Sequence, residues 1–109
     1  MTARLPAHLE VSALIRLCES EGGFAAVIRK GERDAGTIIV VLARSDGTSG
    51  IYERMPQLDG TRAWTLSKTQ TYENKQEIDE YLERRARQDD DLWIVELAID
   101  EGERLILKS

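Results

Sequence analysis

The sequence is poor in cysteine and histidine and has no long apolar run, and each scarcity excludes a class of protein. Cys18 is the single cysteine in 109 residues, so the chain can close no internal disulfide and has no C-x-x-C pair for redox or zinc chemistry. His8 is the single histidine, which leaves no histidine cluster for a metal site. The longest apolar run, residues 38–43, is far shorter than the ~20 residues that span a bilayer. We therefore expect a cytoplasmic protein with no cofactor, no bound metal and no membrane span.

Acidic residues outnumber basic ones. The chain has 15 Lys and Arg against 20 Asp and Glu, which gives a formal net charge of −5 at pH 7. An acidic surface repels a phosphate backbone unless its basic residues cluster, so nucleic acid is an unlikely partner. The length suits one domain, and no linker, repeat or low-complexity segment divides residues 1–109.

A first helix is predicted after Pro6. Apolar side chains recur there at the i, i+3, i+4 and i+7 spacing of an amphipathic helix, and Gly22–Gly23 supply a left-handed stop. Pro6 suits the first helical position, because its missing N–H has no partner there in any helix. The apolar stripe consists of Val11, Leu14, Ile15 and Cys18.

Two β-rich segments follow, residues 24–30 and 37–44, and they predict a hairpin around the loop between them. Gly31 and Gly36 in this loop have the spacing of a phosphate-binding loop. Such a loop needs a lysine after its second glycine and a helix that begins there. Thr37 takes the place of the lysine and β-branched residues follow it, so the glycines more simply relax the backbone of a hairpin.

A second hairpin is predicted from residues 50–57 and 61–68, because Asp59–Gly60 between them is a strong turn signal. If the turn centres on that dipeptide, Met55 faces Trp64 on the buried side of the hairpin. A slip of one residue would exchange the two sides. In the predicted register, four polar side chains share the outer side: Tyr52, Arg54, Thr65 and Ser67.

A second helix is predicted from Asn74, which is followed by Glu77 at the spacing of a capping box. One face of that helix carries Ile78, Tyr81, Leu82 and Arg85. The apolar segment Leu92–Ile99 predicts a strand, and residues 103–107 predict a possible return strand. The predicted fold is a single α+β domain with a mainly antiparallel sheet of five or six strands and two helices. The order is α-β-β-β-β-α-β, with a possible last β.

Residues 38–42 and 92–95 are apolar on both faces of their strands, and two helices can hardly cover both faces of such a sheet. Strong curvature, a partly closed barrel or a second copy of the chain could each shield the remaining face. Self-association as a homodimer is therefore one of the open expectations.

A binding surface is predicted where directed hydrogen bonds could hold an anion or a peptide carboxylate. The alternative is an ordinary polar sheet face. No catalytic or metal-ligating residue is predicted, since His8 and Cys18 have no evident partner and Asp89–Asp91 lack the distal Glu of a calcium loop. The predicted binding residues are Tyr52, Arg54, Thr65 and Ser67 on the hairpin, with Arg84 and Arg87 at the end of the second helix.

Three functional hypotheses follow. The first is a non-enzymatic protein-interaction or regulatory module that binds a protein partner through the hairpin face. The alternative is a small enzyme or a small-molecule or anion-binding domain, in which Tyr52 and Arg54 orient an anion and Glu53 is a base. RNA binding through strand aromatics and arginines is the weakest, because no RNP-like run is present.

Several stretches of the chain also resemble a small bacterial family, domain of unknown function 1491. They are LPAHLEVSALIR, GGFAAVIRKGERDAG, YERMPQLDG with the following RAW, and RRARQDDDLWIVEL. The resemblance covers Leu5 to Leu97. It implies a compact, cytoplasmic, stand-alone bacterial protein, and it carries over no catalytic motif.

Overall fold

The structure is a computed structural model that describes residues 5–56, 58–59 and 62–108. Within these residues lie three helices, α1 (Ala7–Ser20), α2 (Lys75–Gln88) and α3 (Glu103–Lys108). The five described strands are β1 (Phe24–Arg29), β2 (Ile38–Ala43), β3 (Ser49–Pro56), β4 (Arg62–Gln70) and β5 (Trp93–Ala98). They form one sheet, so the predicted α+β class is confirmed.

The order of strands across the sheet is β1-β5-β2-β3-β4. β5 runs parallel to β2, and the other three neighbouring pairs are antiparallel. The predicted hairpin of β1 and β2 is therefore wrong, because β5 lies between them. β2 and β5 are apolar on both faces, and such strands are stable at the centre of a sheet, where both faces are covered.

The loop from β1 to β2 crosses the start of β5 at close range. The Glu32 N–H donates to the Asp91 carbonyl oxygen at 3.0 Å, and the Trp93 indole N–H donates to the Glu32 carbonyl oxygen at 2.6 Å. A Cβ atom at Gly31 or Gly36 would collide with the Asp91 carbonyl oxygen. Both glycines therefore permit this close backbone approach and do not form a hairpin turn.

α1 confirms the first predicted helix and its stop. Pro6 is the N-cap, one position before the predicted one. Gly22 has a positive φ of 87°, and the Gly23 N–H donates to the Cys18 carbonyl oxygen at 2.9 Å. A left-handed residue followed by this bond is the Schellman arrangement, which satisfies the free carbonyls at a helix end.

Helices cover the central strands on both faces. α1 and α3 pack on one face, in a cluster that includes Val11, Leu14, Val40, Leu42, Val95, Leu97, Leu105 and Ile106. α2 packs on the other face, in a cluster of Ile39, Val41, Ile51, Ile78, Leu92 and Ile94, with Tyr81 and Leu82 beside it. The apolar faces of β2 and β5 are thus covered within one chain. β1, at the edge of the sheet, is more exposed to solvent than these two strands.

The predicted return strand after β5 is wrong, because residues 103–108 form α3. β5 already has β1 and β2 as neighbours, so no free edge beside it can accept another strand. Leu105 and Ile106 are each 2% exposed and pack in the cluster with α1. The final segment is more stable as a cover for that face than as a sixth strand.

The predicted start and inner face of α2 are confirmed. Asn74 is the N-cap, but its side chain makes no capping hydrogen bond. The Asn74 side chain instead accepts from the Thr71 N–H at 2.7 Å and donates to the Thr69 carbonyl oxygen at 2.9 Å. Asn74 therefore ties the end of β4 to the start of α2.

Candidate functional site

From Tyr52 to Pro56, the register of the β3–β4 hairpin differs by one residue from the prediction. Arg54 pairs with Trp64, whereas the prediction paired it with Thr65. Because Pro56 pairs with Arg62, the connection has an odd number of residues, and a turn centred on a dipeptide requires an even number. Gly60 of the predicted turn lies outside the described residues. The four polar side chains are consequently divided, with Tyr52 and Arg54 on the face of α1 and Thr65 and Ser67 on the face of α2.

Arg54 fastens α1 to the sheet. Its guanidinium forms an ion pair with Glu10 of α1, whose side chain is 6% exposed, and lies 4.8 Å from the centre of the Trp64 ring. A buried carboxylate is tolerated only when it is paired, so this contact neutralises Glu10. Arg54 has a structural role here, and its predicted role in binding stays a prediction.

Tyr52 contacts α3 through the carboxylate of Glu103. The Glu103 carboxylate accepts from the Arg44 guanidinium at 2.6 Å and from the Tyr52 hydroxyl at 3.4 Å. The hydrogen bond from Arg44 holds the pKa of Glu103 below its usual value. These contacts link α3 to the end of β2 and to β3.

Glu53 is buried beneath α2, where it is 4% exposed. Its carboxylate accepts from the Tyr81 hydroxyl at 2.6 Å, from the Ser67 hydroxyl at 3.0 Å and from the Arg85 guanidinium. Burial raises the pKa of Glu53, but the hydrogen bonds from Tyr81, Arg85 and Ser67 outweigh it and bring the pKa below the usual value. A carboxylate that is ionised and accepts hydrogen bonds from three side chains is a weak base. This geometry therefore favours a structural role for Glu53, which links β3 to α2.

Cations surround the Tyr81 ring at the surface of α2. The Lys68 ammonium lies 4.7 Å from the ring centre, and the guanidinium carbons of Arg84 and Arg85 each lie 5.8 Å away. Glu53 neutralises Arg85. Of the two predicted arginines, Arg84 thus joins a basic cluster, and Arg87 is exposed in the last turn of the same helix.

β1 is an edge strand, and its residues 24–28 form an uncharged, apolar surface. Phe24, Val27 and Ile28 are 79%, 44% and 57% exposed, and residues 24–28 contain no charged side chain. Edge strands have unpaired backbone N–H and C=O groups, and proteins usually protect such edges with charged residues, proline or a covering element. β1 lacks a charge over these residues.

A cleft opens beside β1 on the face of α2. The pairing of β1 with β5 shifts register between Val27 and Arg29, which leaves Ile28 as the extra residue of a bulge. The cleft has a volume of about 420 Å³. Its lining consists of Ile28, Leu82, Ala86 and Ile94, with the charged residues Arg29, Asp79 and Glu83. We call the exposed strand and this cleft the β1 surface.

In the described ranges, no group of three or more His, Cys, Asp and Glu side chains is placed to hold a metal ion. Among the described helices, none combines the length and the apolar character that crossing a membrane requires.

The comparisons with known proteins agree with the fold. The profile of a family described as protein of unknown function DUF1491 matches residues 5–107. The chain belongs to the DUF1491 family. The resemblance noted from the sequence is thereby confirmed. No curated protein matches the chain.

Solved structures of similar proteins have the same architecture. The crystal structure of a family member from Caulobacter crescentus is 37% identical, with a TM-score of 0.81 over 94% of each chain. The solution structure of protein Atu0922 from A. tumefaciens is also 37% identical, with a TM-score of 0.81 over 95% of this chain and 93% of that one. This similarity establishes the family and the fold.

Proposed function

We propose that this DUF1491 protein is a cytoplasmic protein-interaction module that binds its partner at the β1 surface. The observation that carries the proposal is the exposed apolar edge of β1, where Phe24, Val27 and Ile28 face solvent. An extended segment can add to such an edge by main-chain hydrogen bonds, and pockets beside the edge select its side chains. The cleft between β1 and α2 is a pocket of this kind.

The opposite edge supports the proposal by contrast. β4 is the other edge of the described sheet, and it carries Lys68, whereas residues 24–28 of β1 carry no charge. Both edge strands have one register shift against their neighbour, so the lysine is the difference that disfavours pairing of β4 with another strand. Leu66 is 47% exposed on β4, but its neighbours Thr65 and Ser67 are polar. Strand addition is therefore favoured at β1.

A matched pair of substitutions tests the proposed surface. Val27 on β1 and Leu66 on β4 are 44% and 47% exposed, and both point to the face of α1, opposite Val95 and Tyr52 respectively. Val27→Lys places a charge on the proposed edge, and Leu66→Lys makes the same kind of change on the other edge.

The measurement is recovery of proteins from native-host lysate by the tagged chain after nuclease treatment, quantified by mass spectrometry. Val27→Lys should lower the recovered partner by about tenfold, because burying an unpaired charge at an interface costs more than about 1.4 kcal/mol. Leu66→Lys should leave recovery unchanged. Equal recovery by Val27→Lys and the wild type would refute the β1 surface.

A second candidate function is anion binding at the cluster around Tyr81. Lys68, Arg84 and Arg85 lie close to the Tyr81 ring, and Glu53 pairs with Arg85. Among the described residues neither Lys68 nor Arg84 belongs to an ion pair, which leaves positive charge at this cluster. We expect inorganic phosphate to raise the melting temperature relative to chloride at equal ionic strength, and Arg84→Gln to remove that rise. An identical melting temperature in the two salts would exclude this candidate.

A further inference from the structure

β1 is complementary to an antiparallel copy of itself. Ala25 packs with the core under α1, so Phe24 and Ala26 point to the face of α2. Ile28 lies on that face too, where it lines the cleft beside Leu82. Residues that oppose each other in an antiparallel pair point to the same face. A two-fold axis at Ala26 therefore places Phe24 of each copy opposite Ile28 of the other.

This arrangement covers apolar groups that a single chain leaves in water. The Phe24 ring, which is 79% exposed, comes to the mouth of the cleft formed by Ile28, Leu82 and Ala86 of the other copy. On the opposite face, Ala25 lies beside Val27 of the other copy. Each contact occurs twice because a two-fold interface is isologous.

The charges at the two ends of β1 favour the same orientation. Glu21 lies just before the strand and Lys30 just after it, and both are exposed. Neither residue belongs to an ion pair in the described part of the chain. Antiparallel pairing brings Lys30 of each copy toward Glu21 of the other, whereas parallel pairing would bring like charges together.

Glu96 opposes this pairing only weakly. It lies on β5 opposite Ala26, so the two copies of Glu96 are three strand spacings apart, about 14 Å. This distance exceeds the Debye length of about 10 Å at 0.1 M salt.

From these observations we infer that the partner at the β1 surface is a second copy of this chain, paired antiparallel through β1 about Ala26 in a ten-stranded sheet. This inference rests on the proposed function, since it names the partner of the same surface.

A cysteine at the axis tests the register directly. Opposing residues of an antiparallel pair have Cα atoms about 4.5–5.5 Å apart, which lies within the range of about 4.4–6.8 Å that a disulfide spans. Ala26→Cys should therefore form an interchain disulfide under mild oxidation. Ala63→Cys is the matched control, because Ala63 is an exposed alanine on the other edge strand. Cys18 is fully buried and stays in all variants.

Non-reducing gels should show several-fold more covalent dimer for Ala26→Cys than for Ala63→Cys or the wild type. Sedimentation velocity over a concentration series should show a dimer for the wild type and for Leu66→Lys, and a monomer for Val27→Lys. Circular dichroism establishes that each variant is folded. A monomeric wild type at all concentrations, or equal cross-linking of the two cysteine variants, would overturn the inference.

The outcomes also separate the inference from the proposed function. If the wild type is monomeric but Val27→Lys still loses a protein recovered from lysate, the β1 surface binds a different protein and only the second-copy inference fails. If Val27→Lys loses no partner and the wild type is monomeric, both fail.

Discussion

Two buried glutamates hold helices on opposite faces of the sheet. Glu10 and Glu53 are each 4% exposed, and each pairs with an arginine from another element, Arg54 and Arg85 respectively. A buried ion pair often adds little net stability compared with apolar packing, but removal of one partner leaves an uncompensated charge. These pairs therefore act mainly by fixing how each helix lies on the sheet.

Glu53→Gln tests the pair under α2. The substitution should lower the free energy of unfolding at pH 7 by about 1–3 kcal/mol, because Arg85 keeps its charge without a carboxylate. Glu103→Gln is the control, since the Glu103 side chain is 38% exposed, and it should cost less than about 1 kcal/mol. Urea denaturation measures both, and equal losses would contradict the role of burial.

The pKa of Glu53 also predicts how stability depends on pH. Its folded pKa lies below the usual value, so its contribution is fully present above the unfolded pKa of about 4.3. The contribution is lost as the pH falls through the folded pKa. Urea denaturation between pH 7 and pH 3 should show a steeper loss below about pH 5 for the wild type than for Glu53→Gln. If the free energy of unfolding falls with pH in the same way for the wild type and Glu53→Gln, Glu53 does not cause the loss of stability at low pH.

Gly36→Ala tests the close approach of the first loop to β5. The new methyl group would collide with the Asp91 carbonyl oxygen, so we expect a loss of about 1–3 kcal/mol. Gly22→Asn is the comparison, because no atom lies within 4 Å of its Cβ position and asparagine tolerates a positive φ. That change should cost less than about 1 kcal/mol in the same urea assay. If Gly36→Ala has the same urea midpoint as the wild type, the loop can move away from β5 to make room for the methyl group.

At the scale of elements, sequence periodicity predicted those helices and strands whose formation depends mainly on residues close to them in the sequence. α1, the inner face of α2 and the β3–β4 hairpin follow from helical spacing and a turn signal within each segment. The return strand failed because residues 103–107 are apolar in a short run, and such a run fits a strand or a buried helix. The choice depended on whether β5 had a free edge, which is a property of the whole sheet.

Leu105→Ala tests α3 as a packed helix. Leu105 is 2% exposed against the core under α1, so the change should cost about 2–5 kcal/mol. Leu9→Ala on the 47% exposed Leu9 should stay within about 0.5 kcal/mol. Chemical denaturation gives both values, and Cα chemical shifts over residues 103–108 should be helical. Extended shifts there would restore the predicted strand.

At the scale of the whole molecule, the backbone hydrogen bonds of the two central strands should open least often. β2 and β5 are covered on both faces, whereas β1 and β4 are edges. Native-state hydrogen exchange should therefore be slowest for amides of β2 and β5 and faster for β1 and β4. Slower exchange in β4 than in β2 would contradict this order.

The candidate site was predictable only in part. The uncharged stretch of residues 24–28 is visible in the sequence, but its place at an edge depends on β5 inserting beside it, a contact between distant parts of the chain. The predicted shared face of Tyr52, Arg54, Thr65 and Ser67 is wrong for a smaller reason: one additional residue in the hairpin connection shifts one strand against the other, which places Thr65 and Ser67 on the opposite face from Tyr52 and Arg54. Arg84 kept its exposed position because it depends on helical periodicity alone.

The insertion of β5 also has a consequence for synthesis on the ribosome. β2, β3 and β4 are successive and can pair as they emerge, but β1 gains its neighbour only when β5 has been made. Because the ribosome adds about 5–20 residues per second, β1 has no partner strand in its own chain for several seconds. Nascent chains on adjacent ribosomes of one messenger would therefore present β1 to each other before either has completed its sheet.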